Sequence, residues 1–249
     1  MEQAGSRTPG SEGGSRGDRT RAAVVAAARH RFSVEGFDGA TGARIAADAG
    51  VSEPTIAFHF GSKAGLLVAV MRDYYDDLLD GIDDVVAASV DPRSRLRDFA
   101  RWWVTHNAEN FDLVSVFGRQ GRRTDGDPVV DAFRACNRRV TSVFDRLAED
   151  LRHLGELRPE VPARILRDAF FGACEHLMVG HALTGRPEDL AAAADDVVDL
   201  LMTGAGTHAA AWTGAAPLGR TGASDLSVVE AKLDRLTVMV EEIRRQAPG

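Results

Sequence analysis

The chain has 249 residues, of which 44% are hydrophobic and 27% charged, and its formal net charge is −7. The length allows one large domain or a small domain joined to a larger one, and the composition excludes fibrous and wholly disordered proteins. Abundant Ala, Leu, Arg, Asp and Glu, with few strand-favouring runs, predict an all-α fold.

Membrane and redox signals are weak in this sequence. No stretch approaches the roughly 18 apolar residues of a transmembrane helix, and residues 1–20 lack the apolar centre of a signal peptide. Cys136 and Cys174 lie far apart outside any CxxC spacing, so we expect buried reduced thiols rather than a disulfide or a metal pair. The sequence predicts a cytoplasmic protein.

Charge is unevenly distributed along the chain. Residues 19–65 carry six Lys or Arg against four Asp or Glu, whereas the segments on either side are net acidic. A basic head on an acidic body is compatible with nucleic-acid binding through the head, because the acidic body keeps away from phosphate.

The N-terminal region is predicted to hold a tail and a first helix. Residues 1–18 are rich in Gly, Ser and Arg without apolar periodicity, which predicts a disordered tail. The alternative is an arm whose arginines contact DNA: Arg7, Arg16 and Arg19. Apolar residues at helical spacing predict a helix from about Thr20 to Glu35, ended by Gly36.

Two short helices follow, Thr41 to Asp48 and Ser52 to about Phe60. Gly50 between them suits the sharp turn of a helix-turn-helix, since glycine tolerates positive φ. Ser52 is a suitable N-cap, and Pro54 is tolerated in the first turn of a helix.

The rest of the chain is predicted to be a helical body with an extension. A long helix from near Ser62 to about Ala88 precedes helices over five further segments: Arg93 to Asn110, Leu113 to Arg122, Pro128 to Leu154, Val161 to Leu183 and Pro187 to Met202. We divide the chain into a tail (1–18), a head (19–65), a body (66–203), a linker (204–224) and a coiled-coil-like helix (225–246) with apolar residues spaced 3 and 4 apart.

The segment from Arg21 to Leu67 resembles the DNA-binding domain of TetR-family regulators. The resemblance is carried by Ala27, Ala28, Phe32, Gly36-Phe37, Thr41, Ile45-Ala46 and GVSEPTIAFHFGSK from Gly50 to Lys63. It implies a homodimer that binds a palindromic DNA operator through the head. It also implies a body that encloses a small-molecule effector and dimerises through its last two helices.

The resemblance and the chemistry of DNA recognition together suggest a set of contact residues. A recognition helix that starts at Ser52 presents its N-terminal residues to the major groove. We expect Glu53, Thr55 and Phe58 to contact bases, and the following residues to face the phosphates or flank the contacts: Thr41, Arg44, Ser52, Pro54, His59 and Lys63. Ala57 and Pro54 depart from the family pattern, where tyrosine and glycine are usual, so one phosphate contact is missing. Capping of helices is the structural alternative for Thr41, Ser52 and Thr55.

A ligand pocket and a dimer interface are the two sites expected in the body. Aromatic residues with a few polar groups are typical of small-molecule sites, and the candidates are Trp102, Trp103, His106, Phe111, Phe117, Arg119, Phe133, Asn137, Phe170 and Phe171. Ordinary core packing is the alternative for each. Apolar stripes on the last two body helices predict a two-fold interface with Phe170, Cys174, Leu177, Met178, Leu190, Ala194, Val197 and Leu201.

The sequence favours a repressor that a small, largely apolar ligand releases from its operator. A constitutive or architectural DNA-binding protein, and a helical scaffold that acts through residues 225–246, are the alternatives. Glu175, His176 and His181 do not form an HExxH motif, and no catalytic set has useful spacing, so we expect no enzyme activity, no metal and no cofactor. Pairing of residues 225–246, within or between dimers, would permit a higher oligomer.

Overall fold

The computed structural model describes residues 16–122, 126–184 and 189–206, and these residues form nine helices. In chain order they are α1 (Arg16–Gly39), α2 (Gly42–Ala49), α3 (Glu53–Phe60), α4 (Lys63–Ala88), α5 (Pro92–Glu109), α6 (Phe111–Gly121), α7 (Pro128–His153), α8 (Ala163–Thr184) and α9 (Leu190–Ala205). The predicted all-α fold is confirmed.

Helix α1 is longer than predicted at both ends. It begins at Arg16, within the predicted tail, and at Gly36 (φ 71°, ψ 175°) it loses helical conformation before a last turn to Gly39. Gly36 therefore marks a kink rather than the end of the helix. Residues 1–15, with Arg7 and most of the predicted tail, lie outside the described residues.

Helix α4 connects the head to the body. Its apolar residues recur at spacings of three and four, and Leu67, Val70, Tyr74, Leu78 and Ile82 are fully buried. This apolar stripe packs against α1 on the head side and against α5 and α7 in the body. Head and body consequently share one hydrophobic core.

Helix α9 packs against α5 and α8. Arg97 pairs with Asp199, and both oxygens of Asp195 accept hydrogen bonds from Arg101, at 2.7 and 2.8 Å. The helix continues to Ala205, into the segment predicted as a linker, and Gly206 forms an isolated antiparallel bridge with Leu157. The rest of that linker and the predicted helix over 225–246 lie outside the described residues.

Both cysteines lie in the interior of the described structure. Cys136 and Cys174 are both free and buried, as predicted, and burial raises the pKa of Cys174 to about 12. Within the described ranges no single helix is long and apolar enough to cross a membrane; α3 and α4 meet that criterion only as a pair, bent by 68°.

Candidate functional site

The helix-turn-helix is built from α2 and α3. Gly50 ends α2 in the left-handed conformation (φ 66°, ψ 31°), which a residue with a Cβ adopts only at a cost. Its N–H and that of Val51 bond to carbonyls of α2, so the chain reverses within three residues. Ile45 and Ile56 are buried and hold the two helices together.

Helix α3 presents a polar N-terminus to solvent. Ser52 is its N-cap, and its Oγ accepts a hydrogen bond from the Thr55 N–H at 3.4 Å and lies 2.9 Å from Thr55 Oγ1. Glu53 and Pro54 are exposed in the first turn, and Thr55 is half-buried. The free N–H groups and the hydroxyls of this end suit phosphate or base acceptors.

Two aromatic side chains lie at the other end of α3. The Phe58 side chain is 86% exposed, which is costly for a large apolar group unless a partner covers it. The His59 ring packs edge-on against Phe58, with centroids 5.3 Å apart. Both residues lie on the helix predicted to enter the groove; Phe58 is exposed and His59 is half-buried, which is consistent with the predicted contacts.

The remaining predicted DNA-contact residues already have intramolecular partners. Thr41 is the N-cap of α2 and accepts from the Arg44 N–H, while the Arg44 guanidinium lies 3.1 Å from Glu35. Lys63 donates to the Asp38 carbonyl at 3.3 Å and lies over the Phe37 ring, 4.7 Å from its centroid. Each of these residues would exchange or share a partner on binding phosphate.

An ion-pair network stiffens the head. Arg31 donates to Asp48 at 2.8 Å and to Glu35 at 2.6 Å, and Glu35 also pairs with Arg44. The hydrogen bonds from Arg31 lower the pKa of both carboxyls, so they stay ionised at neutral pH. The network joins the C-terminal half of α1 to α2.

Arg29 joins the head to the body. Its Nη1 lies 3.2 Å from Asp77 on α4, and its Nη2 donates to Asn110 Oδ1 at 3.1 Å, at the junction of α5 and α6. The guanidinium also lies over the Tyr74 ring, 5.6 Å from its centroid. One side chain of α1 therefore contacts two separate elements of the body.

The body contains a cavity of about 530 Å³. Its wall takes residues from α4, α5, α6, α7 and α8 and comprises Tyr75, Trp103, Asn107, Phe111, Val114, Ser115, Gly118, Arg119, Arg122, Phe133, Asn137, Val140, Thr141, Arg167, Asp168, Phe171, Glu175, Met178 and Val179. The volume lies within the range of about 300–1,000 Å³ that is typical of small-molecule sites.

The cavity contains six of the ten predicted ligand-contact residues: Trp103, Phe111, Arg119, Phe133, Asn137 and Phe171. The other four pack elsewhere, so the prediction for them is corrected. Trp102 donates its indole N–H to the Leu78 carbonyl and packs on His106, whereas Phe117 is buried against Tyr74. Phe170 is stacked on Phe144 with ring centroids 4.8 Å apart, and its side chain is wholly buried.

Sequence reasoning missed polar groups in the wall. Tyr75 donates its hydroxyl to Asn137 Oδ1 at 2.6 Å, and burial raises the pKa of Tyr75, which keeps it a neutral donor. Asn107 accepts from Tyr74 and donates to the Trp103 carbonyl. Tyr75 and Asn107 lie on helix faces that also carry core residues, so no signal in the sequence separated them from the core.

The predicted dimer interface needs a correction. Phe170, Cys174, Met178, Leu190 and Ala194 are buried within the subunit, so the stripe they form faces its own core. Leu177, Val197 and Leu201 are half-buried. The exposed large apolar side chains of the same two helices are Ile165 (47% exposed), Leu183 (80%) and Leu200 (72%), and exposed small residues such as Ala169 and Gly172 accompany them.

The fold, the exposed recognition helix and the cavity together define a helix-turn-helix transcriptional regulator. The family profile described as "Bacterial regulatory proteins, tetR family" matches residues 24–70. The chain is 30% identical over 199 residues to the HTH-type transcriptional regulator BetI of Burkholderia ambifaria (strain MC40-6), a match that spans 73% of this chain and 93% of that relative. The chain belongs to the TetR family of DNA-binding regulators, which bind operator DNA as dimers and respond to small molecules.

Two further proteins are similar to part of the chain or to its fold. The HTH-type transcriptional activator FasR of Mycolicibacterium smegmatis (strain ATCC 700084 / mc(2)155) is 31% identical over 136 residues, and that match spans 53% of this chain but only 61% of FasR. The structure of FadR from Bacillus subtilis in complex with stearoyl-CoA has a TM-score of 0.66 at 17% identity and covers 74% of this chain and 98% of FadR. The second likeness concerns the fold alone.

Proposed function

We propose that the protein is a homodimeric, cytoplasmic repressor that leaves a palindromic operator when a small, largely apolar ligand occupies the body cavity. In this proposal α3 of each subunit enters the major groove, with Glu53, Thr55 and Phe58 at the bases. We propose no catalytic role for the chain; its relatives are transcriptional regulators.

The cavity supports a largely apolar ligand. Trp103, Phe111, Phe133 and Phe171 supply aromatic walls, and Val114, Val140 and Met178 add aliphatic surface. Apolar walls with a few polar groups favour a ligand that is mostly hydrocarbon and carries one polar end. The FadR of similar fold is complexed with stearoyl-CoA, which carries a long hydrocarbon chain on a large polar group.

The observation that carries the proposal is the contact between the cavity wall and the head. Asn107 and Phe111 line the cavity on either side of Asn110, and Asn110 accepts a hydrogen bond from Arg29 of α1. A ligand that displaces the α5–α6 junction would therefore act on the head directly.

The two recognition helices of a dimer must be about 34 Å apart, or a multiple of that distance, to enter successive major grooves. A small rotation of each head removes simultaneous contact with both half-sites, so a local shift at the wall is enough to lower operator affinity.

The experiment selects bound fragments from genomic DNA and then measures their release by candidate ligands. Release of the selected operator by a ligand that also binds the body is the expected result. A protein that binds the operator but that no ligand releases would instead be a constitutive DNA-binding protein. Absence of DNA protection would favour a scaffold that acts through residues 225–246.

An Arg29→Gln variant tests the route of coupling. It should keep ligand affinity but lose most of the ligand-induced release, and typical coupling free energies of about 1–3 kcal/mol correspond to a 5- to 150-fold effect. Arg31→Gln is the matched control, since Arg31 lies on the same helix and bonds only within the head. Equal release in both variants would contradict a role for Arg29.

A further inference from the structure

Tyr75 fixes the orientation of one asparagine in the cavity. The Tyr75 hydroxyl, on α4, donates to Asn137 Oδ1 on α7 at 2.6 Å, and both residues line the cavity. The Asn137 oxygen is thereby occupied, so its carboxamide turns its Nδ2 away from Tyr75. Among the described residues Nδ2 has no hydrogen-bond partner, and it is not among the side-chain atoms that are buried without one.

Asn107, the other asparagine of the wall, is different. Its Oδ1 accepts from the Tyr74 hydroxyl at 3.0 Å, and its Nδ2 donates to the Trp103 carbonyl at 2.7 Å. Both ends of Asn107 are used inside the protein. Asn137 therefore offers the cavity an N–H donor that Asn107 does not.

The charged residues of the wall disfavour a cationic ligand. Asp168 pairs with Arg164 at 3.3 Å, and Glu175 lies 3.7 Å from Arg122. Arg119 is exposed and has no carboxylate partner within the described part of the chain. The acidic groups of the wall are thus already neutralised, whereas a guanidinium at the cavity is not.

We propose that Asn137 and Tyr75 form a subsite for an acyl oxygen, so that the ligand is a hydrocarbon chain ending in a carbonyl or carboxylate group. The aromatic walls hold the chain, and Asn137 Nδ2 donates to the acyl oxygen while Tyr75 holds the carboxamide in place. The inference rests on the proposed function for the biological role of the cavity, but the chemistry of the subsite is tested separately.

The test titrates the full chain with three ten-carbon probes, each below its critical micelle concentration. Intrinsic fluorescence monitors binding, because Trp103 lies in the wall. Decanoate carries an anionic acceptor, methyl decanoate a neutral one, and decyltrimethylammonium carries neither acceptor nor donor. We expect the two acyl probes to bind at least about tenfold more tightly than the cation. Preference for decanoate over methyl decanoate would identify a free acid as the source, and the reverse an ester or thioester.

Variants at the subsite decide the assignment. Asn137→Asp replaces the donor by an acceptor and should weaken both acyl probes by about tenfold or more, whereas Tyr75→Phe, which only frees the carboxamide, should weaken them a few-fold. Ser142→Ala is the control, because Ser142 lies on the same helix but outside the cavity wall, and its hydroxyl donates to the Arg139 carbonyl at 2.7 Å. Asn137→Leu serves as a second variant if Asn137→Asp melts below the assay temperature.

Two results would overturn the subsite: unchanged affinity for acyl probes in both Asn137 variants, or tighter binding of the cation than of the acyl probes by the parent protein. Operator release separates this failure from failure of the proposed function. A probe that releases the operator equally from the parent and from Asn137→Asp leaves the repressor proposal standing without the subsite. Acyl probes that bind through Asn137 without releasing the operator would support the subsite and contradict the repressor proposal.

Discussion

The head and the body place their candidate contact groups in opposite ways. In the head, the residues from Ser52 to His59 lie on one short helix and its cap, so local sequence determines their geometry. In the body, the cavity wall takes side chains from five helices and exists only after those helices have packed. The difference predicts that operator contact and ligand contact respond separately to mutation, except where the two regions depend on a shared assembly.

The largest expected effect comes from breaking that assembly. Leu183→Asp combined with Leu200→Asp places charge on the two most exposed large apolar side chains of α8 and α9, where we propose the two-fold interface. The variant should sediment as a monomer and lose about 100-fold or more in operator affinity, because the two half-sites are no longer engaged together. Val90→Asp, at an 89% exposed position before α5, is the control. A double variant with dimer mass would locate the interface elsewhere.

Operator affinity should respond next to changes within α3. Thr55→Ala should weaken specific binding by about 1–3 kcal/mol if its hydroxyl contacts a base edge. Since that hydroxyl also bonds to Ser52 in the cap, Thr55→Ser is compared, because it keeps the hydroxyl and the cap. Electrophoretic mobility shifts at several salt concentrations are the measurement. Parent-like affinity in Thr55→Ala at every salt concentration would remove Thr55 from the contact set.

A substitution behind a residue of the cavity wall should lower ligand affinity without changing operator affinity. A Cβ at Gly121 would lie 2.3 Å from Phe133 Cδ1, so Gly121→Ala must displace a wall residue, whereas a Cβ at Gly180, which does not line the cavity, meets nothing within 4 Å. Overpacking of about 1–3 kcal/mol predicts a loss of about tenfold in methyl decanoate affinity for Gly121→Ala only. Equal methyl decanoate affinities of the two variants in fluorescence titrations would contradict a role of Phe133 in holding the ligand.

The smallest effect is a change in the acid stability of the head. Arg31 lowers the pKa of Glu35 and Asp48, so the stability these carboxyls contribute is present above their ordinary pKa of about 4 and is lost as the pH falls through the lowered values. Arg31→Gln should therefore have a lower Tm than the parent at pH 7, and the difference should shrink by pH 3. A difference that is independent of pH would show that Arg31 acts through packing instead.

The sequence was sufficient to predict the turn and the recognition helix of the head, but not the bounds of α1. Ser52 caps α3 and Gly50 forms the turn, as predicted, because caps and positive φ are local requirements; Thr41 caps α2, which was the alternative to its predicted phosphate contact. The same chemistry could not show that Lys63 binds the Asp38 carbonyl, since that partner is 25 residues away in the chain.

The body was predicted less completely, because the packing of distant helices decides whether a side chain lines the cavity or fills the core. Trp102 and Trp103 are neighbours, yet only Trp103 lines the cavity, while Trp102 packs against Gly81 on α4. Likewise the stripe that contains Phe170 and Cys174 could face a partner or the subunit's own core, and periodicity does not distinguish the two. Both outcomes depend on contacts between distant helices.

The ion pairs of the head have a consequence for how the regulator responds to ionic strength. Arg29, Arg31 and Arg44 are already neutralised by carboxylates, and Lys63 is held by a carbonyl and an aromatic ring. The three paired arginines are then less available to displace counterions from DNA than the exposed Arg19 and Arg21 of α1, and each phosphate neutralised contributes about −0.9 to the slope of log affinity against log salt. We therefore expect hydroxyls, helix N–H groups and the exposed Phe58 to carry part of the operator contact, and operator affinity to fall less steeply with salt than the number of cations in the head would give.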